Sequence, residues 1–194
     1  MITDISGGAT PKVEENFYGD KNVGIPFLRV QNISKEGLVL EDVKYITEEV
    51  HNTMLKRSQL KENDLVFTIT GRIGSVALIP KGFEGNINQH SVRFHLKEEI
   101  KGQKIYPSYL VAYLNSNIGC ALSNRGITGG TRPALDYEYI KTITIPLPSP
   151  EIQNSVIEEV KRRLNEAKKL KSEANNLVEE AKQEVEVIIL GKAK

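Results

Sequence analysis

The stretch from Ser149 to about Leu190 constrains this chain more than any other. Ser149-Pro150-Glu151 combines a capping hydroxyl, a proline and an acid. The missing proline N–H is harmless at a first helical position, and the acid faces the positive end of the helix dipole. No glycine or proline follows until Gly191, where helices commonly stop. One uninterrupted helix of that length is roughly 60 Å long at about 1.5 Å per residue, too long for a small domain to cover along its flank. Val160, Ala167, Ala174, Ala181 and Ile188 recur at sevenfold spacing, beside Val156, Leu164, Leu170, Leu177, Val178 and Val185. Alanine in a seam lets two backbones approach closely, so the stripe predicts a helical partner, antiparallel to this one. The apolar set drifts between heptad tracks, nearer to about 3.6 than 3.5 residues per turn, which predicts little supercoil. The alternative is an amphipathic helix folded back on its own domain.

A chain of 194 residues leaves room, ahead of this helix, for one globular domain with a real core. The net charge of +1 announces neither nucleic acid nor membrane, but the charge is unevenly spread. From Leu65 to Leu96 the only acid is Glu84, against Arg72, Lys81 and Arg93. From Leu114 to Leu135 there is no acid, only Arg125 and Arg132. One face of the globular part is therefore expected to be positive. Cys120 stands alone, so no disulfide forms within the chain and a reducing cytoplasm is expected. The first residues lack the basic and apolar regions of a signal peptide, and no apolar run reaches membrane-spanning length.

In chain order, Ser6-Gly7-Gly8-Ala9-Thr10-Pro11-Lys12 reads as a glycine-rich loop without the spacing of a P-loop. Ile25–Ile33 reads as a strand. Thr47 caps a helix begun by Glu48 and Glu49, with Val50, Met54 and Leu55 expected inward. Leu65–Thr70 and Ser75–Pro80 read as strands framing Gly71-Arg72-Ile73-Gly74, a tight hairpin with Arg72 at its tip. The polar loop Asn86–His90 enters a strand Ser91–Leu96. Its alternation turns Val92, Phe94 and Leu96 inward and Ser91, Arg93 and His95 outward. His90 and His95 then lie on opposite faces, which argues against a shared metal. Pro107 to about Ser123 reads as one helix. Arg125-Gly126-Ile127-Thr128-Gly129-Gly130-Thr131-Arg132-Pro133 is the most loop-like basic segment, suited to a polyanion or to a flexible connector. A strand Ile140–Ile145 follows, and Pro146-Leu147-Pro148-Ser149-Pro150 is a stiff elbow. The fold class is α+β: a globular domain over 1–148 with a twisted mixed sheet and flanking helices, then one long helix over 149–190.

These segments together resemble one half of the specificity subunit of a type I restriction-modification enzyme. The resemblance rests on Ser6–Pro11, Ile25–Ile33, Asp64–Gly74, Asn88-Gln89-His90, Gly129–Pro133 and Ile143–Pro148 running into the helix. It implies a target recognition domain that reads half of a bipartite double-stranded DNA site, and a helix that sets the spacing between halves. It further implies DNA methyltransferase subunits as partners, with restriction subunits joined through them, and no chemistry or cofactor of its own. The usual subunit carries two recognition domains and two helices; this chain has one of each. A homodimer through the helix is the simplest way to fill the seam, with Val160, Leu164, Ala167, Leu170, Ala174, Leu177, Ala181, Val185 and Ile188 as its dimerisation residues.

Loop position and side-chain chemistry select the DNA-binding candidates. Lys12, Arg125 and the Gly129-Gly130 backbone suit phosphates; Arg29, Gln31, Asn32, Arg72, Asn88, Gln89, Thr128, Thr131 and Arg132 suit base edges or their surroundings. Other classes stay open. A recognition domain of a fused or split restriction-methylation enzyme is one, and a coiled-coil scaffold without DNA specificity is another. A nuclease built on Asp136, Glu138 and Lys141 is a third, although their spacing looks structural. A methyltransferase would carry a glycine-rich cofactor loop and an Asn/Asp-Pro-Pro-aromatic motif, and neither is present. No catalytic or metal-ligating set is expected.

Overall fold

The computed structural model describes residues 2–12, 17–100 and 102–191. The chain divides into two compact units, Met1–Asn154 and Ser155–Lys194.

Among the described residues the first unit carries thirteen short strands, in order β1 (Ile2–Gly7), β2 (Ile25–Leu28), β3 (Ile33–Ser34), β4 (Gly37–Leu38), β5 (Lys44–Ile46), β6 (Leu65–Thr68), β7 (Val76–Leu78), β8 (Asn86–Ile87), β9 (Ser91–Leu96), β10 (Glu99–Ile100), β11 (Gln103–Lys104), β12 (Ile127–Thr128) and β13 (Ala134–Leu135). Its helices are α1 (Glu48–Asn52), α2 (Pro107–Asn115), α3 (Asn117–Arg125) and α4 (Tyr137–Thr142), and α5 (Pro150–Ile189) begins in it. Four strands form an antiparallel sheet in the order β1-β9-β6-β7. A second, mixed sheet runs β5-β2-β8, with β2 and β8 parallel. Leu28, Val66, Ala77, Ile79 and Ile87 pack into one core cluster, and Phe27, Ile46, Val50 and Leu55 into another.

The α+β class stands, and several local expectations are corrected. Ser6 and Gly7 complete β1 instead of opening a loop. A Cβ on Gly7 would sit 2.0 Å from Tyr137 Oη, so the glycine permits a close approach. The strand from Ile25 stops at Leu28, and Val30–Asn32 form a 3₁₀ turn closed by Asn32 N–H donating to Arg29 O at 2.8 Å. Thr47 caps α1 as expected, its hydroxyl accepting from Val50 N–H at 3.4 Å, but Met54 is 47% exposed because α1 ends two residues earlier, at Asn52.

The alternation expected in β9 fails because β9 is a central strand of its sheet and residues on both of its faces are buried. Ser91 and Arg93 are buried with Val92, Phe94 and Leu96. Arg93 is held by Asp4 at 2.7 Å and by the Arg57 carbonyl at 3.1 Å, with buried Asp64 at 3.8 Å. A guanidinium is tolerated inside a sheet when acids and carbonyls pair with it.

The single helix expected from Pro107 to Ser123 is two. Ser116 leaves the helical region and its side chain accepts from Gly119 N–H at 3.2 Å, starting α3. Ile118, expected in an inward stripe, is exposed. The strand expected over Ile140–Ile145 does not form: Ile140–Thr142 end α4, whose cap is Asp136 accepting from Glu138 N–H at 3.1 Å, and Ile143–Ile145 join no sheet. A local cap and the Lys141–Glu138 pair at 2.6 Å favour helix over the β-branched alternation.

The elbow is clamped within the first unit. Tyr109 Oη donates to Pro146 O at 2.9 Å, and Gln153 Nε2 donates to Lys104 O at 3.0 Å and Pro148 O at 2.9 Å.

Over its described residues the second unit is α5 up to Ile189, followed by a turn. Leu170 and Val185 are exposed, Leu177 is 66% and Ile188 68% exposed, and Ala167, Ala174 and Ala181 are exposed beside them. Val160 and Leu164 are half-buried. No helix among the described residues is long and apolar enough to cross a membrane.

Candidate nucleic-acid interface

Four loops of the first unit are stitched together by backbone hydrogen bonds. Gly8 N–H donates to Ser91 O at 3.3 Å, which brings the Gly8–Lys12 loop against the start of β9. A Cβ on Gly8 would lie 2.0 Å from Ile87 O and 2.4 Å from Asn88 O, so only glycine allows this contact. Ile69 N–H donates to His90 O at 2.9 Å, joining the Asn88–His90 loop to the end of β6. Leu135 N–H donates to Ile69 O at 2.9 Å, and Thr70 bridges Ala134. The β12–β13 hairpin with its Gly129–Arg132 tip therefore lies beside the Arg72 hairpin.

Each loop has a local reason for its shape. Gly71 and Gly74 adopt φ of +70° and +90°, and Thr68 Oγ1 accepts from Ser75 N–H at 3.0 Å while donating to Arg72 O. That closes a tight turn with the exposed Arg72 at its tip. Gly129 turns at φ +89°, and Thr128 pairs with Ala134 below it. Thr128, Gly129, Gly130, Thr131 and Arg132 are all exposed, as is Arg125 at the end of α3. Among the described residues, no acid pairs with Lys12, Arg72, Arg125 or Arg132. The band is thus positive, polar and rich in bare backbone.

The remaining candidates have other occupations. Arg29 pairs with Asp42 at 3.0 Å, and Gln31 Nε2 donates to the same carboxylate at 2.7 Å. Asn32 is 1% exposed: its Oδ1 accepts from Arg29 N–H at 2.9 Å and its Nδ2 donates to Val39 O at 2.9 Å and Asp42 O at 3.0 Å. Its amide is used up inside the fold, and Asn32 leaves the interface. Asn88 is buried as well, with Oδ1 accepting from His90 N–H at 3.2 Å. Gln89 is exposed between these loops. A cavity of about 540 Å³ lies next to the band, lined by Thr10, Tyr18, Phe27, Arg29, Tyr45 and Asn88 among others.

His90 is absent from the DNA-binding candidates that the sequence offers. In the structure it contacts both Gln89 and Thr70, and the signal available was a histidine adjoining an amide in a polar loop. His95 lies apart, with Asp64 at 2.9 Å. Among the described residues, no group of three or more His, Cys, Asp or Glu is placed to hold a metal ion.

Residues 2–180 match the family described as "Type I restriction modification DNA specificity domain". The chain belongs to this family. The EcoBI specificity subunit of Escherichia coli is 26% identical over 153 residues, covering 79% of this chain and 31% of that protein. The chain thus spans about a third of the curated relative that it matches. A chain from a structure titled as the basis of complex assembly and conformational transition of the type I R-M system superposes with a TM-score of 0.64, at 14% identity over 93% of this chain and 41% of its own length. The HsdS subunit of Thermoanaerobacter tengcongensis gives a TM-score of 0.53 at 13% identity, over 86% of this chain and 37% of its own. The S subunit of the type I system from M. genitalium gives 0.52 at 15% identity, over 82% and 36%. At these identities the likeness establishes a specificity-subunit fold. The four-loop band belongs to the globular unit of that fold.

Proposed function

We propose that this chain is a non-catalytic, sequence-specific double-stranded DNA recognition subunit of a type I restriction-modification system, acting in the reducing cytoplasm. It directs partner methyltransferase subunits, and restriction subunits joined through them, to a bipartite target. The observation that carries this reading is the hydrogen-bonded band of loops. It joins the loops that carry exposed Arg72 and Arg132, the Gln89 amide and the Gly129-Gly130 backbone, with exposed Arg125 at the end of α3, and among the described residues no acid pairs with these arginines. Arginine and backbone N–H groups anchor phosphates, and arginine and amides discriminate base edges in a major groove. Lys12, Arg29, Gln31, Asn88, Thr128 and Thr131 flank this set.

The helix unit supports a homodimer. Leu170, Ala174, Leu177, Ala181, Val185 and Ile188 share one helical face, and all six are exposed to solvent. An antiparallel pairing of two copies buries that stripe and holds two recognition units apart, each reading one half of a palindromic, interrupted site. Co-expression with a candidate methyltransferase, followed by mapping of methylated sites, tests the function. An interrupted motif that appears only with this chain is expected; methylation independent of the chain contradicts the proposal. Light scattering of the purified chain is expected to give a dimer, and a monomer at micromolar concentration counts against the pairing.

A further inference from the structure

Gln89 and His90 stand in the band with their polar atoms partly spoken for. Thr10 Oγ1 donates to Gln89 Oε1, and Gln89 Nε2 lies 3.2 Å from His90 Nε2. An amide nitrogen only donates, so in this arrangement His90 Nε2 accepts, while the other ring nitrogen, Nδ1, meets Thr70 Oγ1. The histidine is fixed on its backbone side too, its N–H bonded to Asn88 Oδ1 at 3.2 Å and its carbonyl to Ile69 N–H at 2.9 Å. Thr10 on one side and His90 on the other therefore hold the Gln89 amide in place. Gln89, itself exposed, keeps one N–H and one oxygen lone pair unused. Such a pair matches the N7 acceptor and N6 donor of adenine in a major groove.

We propose that His90 is a positioning residue for specificity: braced by Thr70, it orients Gln89 to read an adenine in the half-site. The inference rests on the loop band being the DNA face. It is tested by co-expressing variants of the full chain with the methyltransferase and mapping the methylated motif. Gln89→Ala relaxes one adenine position, lowering its preference roughly tenfold or more. His90→Phe relaxes the same position and no other. His90→Gln, whose amide oxygen can still accept from Gln89, retains the preference. Thr70→Val removes only the bracing hydroxyl and relaxes that position too, which keeps the test open if His90→Phe does not fold. A motif relaxed by Gln89→Ala but intact in Thr70→Val and in any folded His90→Phe overturns the role of His90 alone. A motif unchanged by Gln89→Ala overturns Gln89 as a base contact, and a motif indifferent to the whole chain overturns the DNA reading itself.

Discussion

The backbone N–H of Tyr106 donates to Gln153 Oε1 at 3.0 Å, tying the start of α2 to the first turn of α5. The same side chain is 0% exposed and bonds Lys104 O and Pro148 O through Nε2. One amide thus satisfies three backbone groups around an elbow whose prolines contribute no N–H donors of their own. Gln153→Ala is expected to lower stability by about 1–3 kcal/mol, the usual range when polar partners are left unpaired. Urea unfolding of the full chain measures it; a change within error would show that the clamp is dispensable.

The two glycines at positions 8 and 130 predict opposite outcomes. A methyl group at Gly8 meets backbone oxygens that cannot swing aside, whereas at Gly130 nothing lies within 4 Å. Gly8→Ala is expected to destabilise by about 1–3 kcal/mol, and Gly130→Ala to stay within about 0.5 kcal/mol. Thermal unfolding of the two variants side by side checks the contrast.

Arg72 and Asn32 separate reading from folding. Arg72 is exposed at a hairpin tip, so Arg72→Ala is expected to lose about 1–3 kcal/mol on the cognate site while stability holds. An equal loss on unrelated DNA would make it a backbone anchor. Asn32→Ala is expected to do the reverse, lowering stability first, since its hydrogen bonds are internal. Binding isotherms on cognate and scrambled duplexes, with unfolding curves beside them, decide both. Affinity should fall steeply with added salt.

On α5, hydrogen bonds from Arg162 and Arg163, at 2.9 and 2.7 Å, hold the Glu159 carboxyl well below its ordinary range, at about 2. A value lowered in the folded state stabilises the helix above the ordinary glutamate value and is lost as pH falls toward about 2. An NMR titration should show Glu159 protonating last among the helix glutamates. Replacing both arginines with alanine should return it to the ordinary range, and added salt should weaken the effect because the cluster is exposed.

Much of this arrangement was legible in the sequence wherever the determinant was local. The long helix follows from an uninterrupted run between Pro150 and Gly191. The Arg72 hairpin follows from two glycines between apolar strands, and the start of α1 from Thr47. Where a distant partner decides, the sequence was silent. Ser91 and Arg93 look solvent-facing until the fold buries both faces of β9 and Asp4 and the Arg57 carbonyl close on the guanidinium. Asn32 looks like a base reader until Val39 and Asp42 return to occupy its amide. The alternation at Ile140–Ile145 reads as a strand, and a single aspartate cap at position 136 overrides it. Gln153 carries no signal of its own in the stripe, because two of the three groups it joins, on Lys104 and Tyr106, lie nearly fifty residues away.

The central claim, that α5 spaces two reading units without reading DNA itself, is tested most directly by deleting Ala174–Glu180 and mapping the methylated motif. The deletion joins Glu173 to Ala181, which takes the place of Ala174 and keeps the seam in phase. Seven residues shorten the helix by about 10 Å at about 1.5 Å per residue, equivalent to about three base pairs at about 3.4 Å each. The account predicts a spacer shorter by about that number with both half-site sequences unchanged. Altered half-sites, or an unaltered spacer, would contradict it.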